Sequence, residues 1–419
     1  MKPLKVNLMV LLQPPIRVFL AIVLGLGFVF TPKASILLLP FLAGISLLSS
    51  DKTLNQRFYK SPLLLSLTIF FLWAFISIAW SPVPSYALKS VGFSLILIIC
   101  ALIISRALTQ LSPQVSELLI KLLCTAFMIS IAFWICGLSL HHWVVAMATW
   151  IKGNVSPSYT AQLAYKATAY TVGALSIVTS GWFFAKTRIL SGTTCLLLAI
   201  ALAFSSHSTT AFLGILCGAL ILCISNFFPR FIGWMLGLTI IAFNAVFPFI
   251  LSSGLLSQYA QKLFQSYGSN AFSFYHRTII WEFTLSRWLE KPMLGWGAAS
   301  SREIPGADHQ IAPRAEVLSL HPHNHFLQTG LELGLVGAIL YTAVLISIIW
   351  VIHTHLKSTL GKATAYGLFV ALYIFGSAEH SLWHHWWVAW LGLFGCFAIL
   401  ICSQIDRLKY ERPPAPMQR

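Results

Sequence analysis

The 419-residue chain is 58% hydrophobic and only 9% charged, with a mean hydropathy of +0.80. A water-soluble domain of this size would present far more charge to solvent, so burial in a bilayer is the simple explanation. The net charge of +16 invites a nucleic-acid partner, but most of the basic residues border apolar runs, where anionic lipid headgroups account for them.

Apolar runs long enough to cross about 30 Å of hydrocarbon at about 1.5 Å per residue recur along the chain. They fall at 16–32, 34–50, 62–80, 86–105, 118–140, 161–184, 189–205, 209–228, 231–251, 324–352, 363–378 and 386–404, which predicts an all-α polytopic membrane protein of about twelve spans. The first two are joined through Thr31-Pro32-Lys33 and read as a hairpin; no small-residue cleavage site follows the first, so it is not a cleavable signal. The chain divides into spans one to nine over 1–251, an outer loop over 252–322, spans ten to twelve over 323–404 and a tail over 405–419. Lys and Arg concentrate at 2, 5, 17, 52, 57, 60, 106, 121, 186, 188, 230, 357 and 362 and in the tail, which places both termini in the cytoplasm. Lys262, Arg277, Arg287, Lys291, Arg302 and Arg314 share the long outer loop; an anionic substrate is one reason for that surplus. All eight cysteines lie in predicted spans, without a C-x-x-C, and read as small buried apolar residues.

Three outward segments stand apart from plain membrane helix: 141–160, the Ser205–Thr210 stretch, and 252–322 with Gly268, Gly295, Gly297, Pro305 and Pro313 as punctuation. Within the last, 277–290 has helical amphipathic spacing, with Ile280, Phe283, Trp288 and Leu289 on an apolar side. This predicts an interfacial helix starting at Arg277 and stopped by Lys291-Pro292. Pro322 suits a first helical turn, so the next span is expected to begin near His321. His323, Leu327, Gly330, Gly334 and Gly337 then share a stripe on which a neighbouring helix can approach closely.

The sharpest local feature is His321-Pro322-His323-Asn324-His325. Such histidines can cap helices or bond carbonyls. They can also chelate a metal, with His380, His384 and His385 as further ligands. A third reading is acid–base work, because imidazole titrates near neutrality. Arg277 offers a fixed fork of donors suited to a diphosphate, or alternatively to a lipid phosphate. Glu332 is an ionisable group inside a span, where such groups usually serve a purpose, and Glu379-His380 lies where an outer loop could close over His323.

His323-Asn324, nine residues, Gly334, two residues and Gly337 fit an H-N-x9-G-x-x-G pattern. With Arg277-x-x-x-Trp281-Glu282 and Pro292-x-Leu294-Gly295-x-Gly297, residues 270–340 resemble the O-antigen ligase and polymerase superfamily of bacterial envelope glycosyltransferases. The resemblance implies a GT-C-like multi-pass protein of the inner membrane, with its site facing the periplasm and no cofactor or metal. It further implies an inverting transfer of a glycan from undecaprenyl diphosphate to a hydroxyl of lipid A–core or of another glycan. His323 would be the base and Arg277 would hold the diphosphate, with His321, Asn324 and His325 beside the substrate.

Family members commonly carry a second arginine in a Ser/Thr-rich stretch that here reads Ser206-His207-Ser208-Thr209-Thr210. His207 as the replacement, Ser208 bonding phosphate oxygens, and Lys152 or Lys166 as the cation are open alternatives. The match favours a ligase; a polymerase and a protein O-oligosaccharyltransferase are the alternatives within the superfamily. A membrane transporter is the alternative of another class, but the two related halves expected of many transporters are not seen.

Overall fold

A computed structural model describes residues 32–49, 61–139, 157–206, 208–312, 315–318 and 320–410. The predicted span 16–32, most of the 141–160 segment with Lys152, and His207 lie outside these residues or at their edge. Among the described residues, thirteen helices account for nearly all regular structure: α1 Ser35–Ser49, α2 Pro62–Ser77, α3 Pro84–Thr109, α4 Pro113–Ser139, α5 Pro157–Ala185, α6 Ile189–Ser205 and α7 Thr209–Ser225, followed by α8 Pro229–Ser252, α9 Leu255–Tyr267, α10 Ser269–Glu290, α11 His325–His355, α12 Thr359–Ala378 and α13 His385–Tyr410. Gln310–Ala312 (β1) and Ala315–Glu316 (β2) pair antiparallel in the loop before α11.

The protein is an all-α polytopic membrane protein. Among the described residues, α2, α3, α4, α8, α11, α12 and α13 are long and apolar enough to cross a bilayer, and α1, α6 and α7 are shorter apolar helices. Each predicted span from 34–50 onward coincides with one helix. Proline stands at the first position of α2, α3, α4, α5 and α8, where its missing N–H costs nothing and its fixed φ suits the helix. Leu37, Leu65, Phe93, Trp234 and Phe249 remain exposed on the outside of the bundle, as lipid-facing positions should. The α13 helix continues past residue 405, so the first part of the predicted tail is helical.

Two apolar cores meet at α12. One gathers α4–α7, α12 and α13, with α5 buried on all sides from Thr168 to Trp182. The other gathers α2, α3, α8, α10, α11 and part of the loop before α11. Chain direction sorts the ends of the helices. The starts of α7, α11 and α13 and the end of α12 share one end of the bundle, and the starts of α8 and α12 share the opposite end.

Three local expectations are corrected. The loop helix does not begin at Arg277. Gly268, at φ +57°, ends α9 and turns the chain into α10, so Arg277 sits within a long helix. Its buried side is Ile280, Trp281, Leu285 and Trp288, while Leu289 is exposed, because α10 packs into the second core. Likewise α11 begins at His325, not near His321: the Asn324 side chain accepts the Leu327 N–H at 3.0 Å, and this cap sets the start.

The glycine stripe is also interrupted. Gly334 adopts φ +69° and ψ −168°, breaking α11 from within. The freed backbone groups find partners in the 292–297 loop and on α2. Trp296 N–H donates to the Leu331 carbonyl at 2.9 Å and Gly297 N–H to the Glu332 carbonyl at 2.8 Å. Leu335 N–H donates to Pro292 O at 2.8 Å, and Trp73 Nε1–H to Leu333 O at 3.0 Å. An interrupted helix is tolerated at such depth only when protein groups satisfy it in this way. A Cβ on Gly334 would lie 2.1 Å from the Met293 carbonyl oxygen, so the glycine is there to admit a loop, not a helix.

Candidate functional site

The three histidines of the 321–325 segment have different surroundings. His323 is held at φ +55°, a left-handed conformation uncommon for a residue with a Cβ, and its N–H donates to His321 Nδ1 at 3.1 Å. Trp281 Nε1–H donates to the Pro322 carbonyl at 3.0 Å, tying the segment to α10. Strain of this kind persists where surrounding contacts over-determine the backbone, and it clusters at functional sites.

The His323 ring meets the end of α12. Its Nδ1 lies 2.9 Å from the main-chain oxygen of Glu379. A carbonyl can only accept, so Nδ1 carries the proton and Nε2 presents a free lone pair. The Glu379 carboxylate, on the same residue, pairs with the Arg277 guanidinium at 2.5 Å. One residue thus orients both a histidine and an arginine from separate elements. Burial holds His323 below the ordinary histidine range. The Glu379 carbonyl opposes this, and nearby Arg277 adds to it. The ring is therefore neutral near pH 7.

A shell of neutral imidazoles surrounds it. The His321 ring lies 4.2 Å from that of His323, tilted by 51°, and meets His384 edge-on at 5.0 Å. Burial first, then repulsion from His323 and its neighbours, keeps His321 well below the usual value. His380 is lowered in the same way, and His384 falls to about 4 through burial and then Arg302. Among the described residues, no three His, Cys, Asp or Glu side chains converge as metal ligands.

Beneath this shell, Glu332 is fully engaged. Its carboxylate accepts from Ala299 N–H at 2.8 Å, Ser301 Oγ at 2.5 Å, Gln328 Nε2 at 3.0 Å and Trp383 Nε1 at 2.5 Å. Gln328 in turn donates to Ser381 Oγ and accepts the Leu382 N–H. The network locks the α12–α13 turn, which carries Glu379, onto α11.

The predicted residues can now be placed. His321, His323, Arg277 and Glu379 come together. Asn324 uses its oxygen as a helix cap. His325 is buried behind the segment, against Gly376, with Tyr341 Oη 3.4 Å from its Nδ1 and Trp387 beside its ring. Ser208 is buried and caps α7. It also lies 3.1 Å from Tyr170 Oη, and the Tyr170 ring meets His380 at 5.1 Å, which brings the Ser206–Thr210 stretch to the edge of the cluster. Tyr170, Gln328 and Trp383 were not anticipated. Tyr170 carried no signal beyond a hydroxyl in a Thr-rich helix. Trp281, by contrast, stood in the Arg277 pattern.

Comparison with known proteins bears on the family. Residues 194–342 match the family model described as O-antigen ligase. The matched range takes in Ser208, Arg277, His323 and Gly334, while Tyr170 and Glu379 lie beyond it. Over 197 residues the chain is 31% identical to a candidate polysaccharide ligase of Rickettsia conorii, covering 46% of this chain and 47% of that one. Over 197 and 187 residues it is 29% and 28% identical to candidate polysaccharide ligases of Rickettsia felis and Rickettsia typhi. The alignments span about half the length of these relatives.

Proposed function

We propose that the protein is an inverting glycosyltransferase that moves a glycan from a polyprenyl diphosphate, undecaprenyl diphosphate in bacteria, to an acceptor hydroxyl. In this reading it acts as an O-antigen ligase on lipid A–core at the periplasmic face of the inner membrane. The observation that carries it is the coupling of His323 and Arg277 through Glu379. The acceptor hydroxyl gives its proton to His323 Nε2 as its oxygen attacks the anomeric carbon. The bond from that carbon to the diphosphate breaks on the opposite face, which inverts the configuration. Arg277 retains guanidinium donors beyond the one spent on Glu379, and these meet the charge that grows on the departing diphosphate.

Membrane embedding serves such chemistry because donor and acceptor are both amphipathic: their phosphates sit at headgroup depth while the sugars occupy the loop-covered side. In this reading Ser208, which reaches the histidine cluster through Tyr170, supplies a second phosphate contact. The match to the O-antigen ligase model and the likeness to candidate polysaccharide ligases of Rickettsia favour a ligase over a polymerase.

The test is transfer by purified protein from undecaprenyl-diphosphate glycan to lipid A–core, or to glycan alone, with and without EDTA. Modified lipid A–core supports the ligase. Chain growth without it selects the polymerase. Full activity of His323→Ala would remove the assigned base, and abolition by EDTA would restore a metal reading.

A further inference from the structure

At the end of the bundle opposite the histidines, a cavity of about 450 Å³ opens between the starts of α8 and α12. Arg230, Lys357 and Lys362 line it, together with Thr359, Phe228 and Phe231. Among the described residues none of these three cations forms an ion pair. The Asp406 carboxylate acts on Lys362 through space but spends its hydrogen bonds on other groups. It accepts the Lys357 N–H at 2.7 Å, the Ser358 N–H at 2.9 Å and the Ser358 hydroxyl at 2.5 Å.

The placement of the charges is unusual. Arg230 and Lys362 stand in the first turns of their helices, which contain no acidic residue. A cation there faces the positive end of its own helix dipole, and the two side chains also repel one another. The cavity therefore gathers positive charge from three side chains at the starts of two helices. The α12 start is already capped, with Ser358 Oγ accepting the Gly361 N–H at 2.9 Å and Asp406 bound to Ser358. An anion would relieve the repulsion among the cations.

The walls identify its source. Phe228, Phe231, Trp234 and Leu238 are 63%, 60%, 65% and 58% exposed. The last three, spaced for one helical face, lead from the cavity along a helix apolar enough to span a membrane. A water-borne anion has no use for that stripe, whereas an acyl chain does. We propose that this cavity binds the phosphate of an anionic phospholipid, whose chains lie along Phe231, Trp234 and Leu238. In the orientation expected from Lys and Arg placement this is a cytoplasmic-leaflet site, and it does not depend on the glycan-transfer reading.

The experiment uses the full chain, delipidated in detergent and titrated with phosphatidylglycerol in mixed micelles, with native mass spectrometry reading bound lipid. Parallel arms use phosphatidylcholine, inorganic phosphate and inorganic diphosphate. The double variant Arg230→Gln/Lys362→Gln should bind phosphatidylglycerol about 30-fold more weakly, at a factor of about five for each basic side chain. Arg188→Gln, a charge removal at the same end but outside the cavity, should leave binding within about twofold. If the double variant does not purify as a single species, Lys357→Gln, whose side chain is exposed, should still show a loss of about fivefold. Equal loss in Arg188→Gln would mean diffuse attraction and overturn the site. Displacement of the lipid by inorganic phosphate or diphosphate at comparable affinity would overturn the lipid assignment, as would equal binding of phosphatidylcholine.

Discussion

The Nδ1–H of His323 donates to the main-chain oxygen of Glu379 at 2.9 Å, so the end of α12 dictates which imidazole nitrogen is left to accept a proton. A backbone acceptor does this without regard to the Glu379 side chain. The carboxylate is thereby free for Arg277, and the two jobs of Glu379 can be separated by mutation.

Replacing Glu379 by Ala keeps the carbonyl and removes the partner of Arg277. The expected outcome is a donor KM raised about tenfold with a smaller fall in kcat, consistent with loss of one charge-assisted hydrogen bond. Arg277→Lys should behave worse than Glu379→Ala, because an ammonium cannot reproduce the planar fork. Steady-state kinetics with varied polyprenyl-diphosphate glycan would show the pattern. A kcat defect with unchanged KM in Glu379→Ala would contradict it.

His323→Gln retains a hydrogen-bond donor toward Glu379 but no base. Its kcat should drop by about 10²- to 10⁴-fold, the usual worth of a general base. In the wild type, burial depresses the His323 titration. The acid limb of the rate profile should therefore lie below the ordinary value of about 6.5 for free histidine. A limb at or above that value argues that another group is the base.

Acid should destabilise the fold itself. His321, His380 and His384 are all lowered in the folded protein, His384 to about 4. A histidine with a lowered folded pKa takes up its proton more readily when unfolded, so stability is complete above about 6.5 and falls as pH drops from there. For His384 the loss runs down to about 4. Thermal unfolding in detergent should show Tm falling across this window, and His384→Gln should flatten the slope. An unchanged slope in that variant would show that His384 is not a contributor.

Gly334→Ala places a Cβ 2.1 Å from the Met293 carbonyl oxygen at a positive φ. Left-handed strain and overpacking together should cost about 2–5 kcal/mol. The measurable result is a much lower Tm or failure to recover monodisperse protein. Near-native stability would mean that the break in α11 is dispensable.

Glu332→Gln substitutes an NH₂ for one of two oxygens that accept hydrogen bonds, so donor faces donor either at Ala299 and Trp383 or at Gln328, the Ser301 hydroxyl being able to turn and accept. A loss of about 1–3 kcal/mol is expected. Activity should fall less than in His323→Gln, because the carboxylate supports the turn that carries Glu379 and does not touch the reacting atoms. Tm and kcat measured on the same preparation separate the two effects.

Much was legible in the order of residues. Hydropathy marked the helices because a bilayer demands long apolar runs, and the spacing from His323 to Gly334 and Gly337 lies within the range that matches the O-antigen ligase model. The apolar side expected for 277–290 was right only in part, with Leu289 exposed, because amphipathic periodicity says that a helix has a covered face, not what covers it. The stripe reading failed for a related reason: Gly334 on a helical wheel looks like a small contact residue, whereas its positive φ exists only once the 292–297 loop is inserted beside it.

The sequence by itself determined an all-α membrane protein, the segment to which the proposal assigns its chemistry, and His323 and Arg277 as residues worth pairing, because composition and local spacing are properties of neighbours along the chain. Only the tertiary structure decided how they pair. Glu379 is 56 residues from His323 and 102 from Arg277, and no periodicity reports a contact at that separation. It also decided that Glu332 is a buried junction and that Arg230 and Lys362 share one cavity. Each of these depends on how helices pack, and packing is set by the sum of many weak apolar contacts that no short motif records.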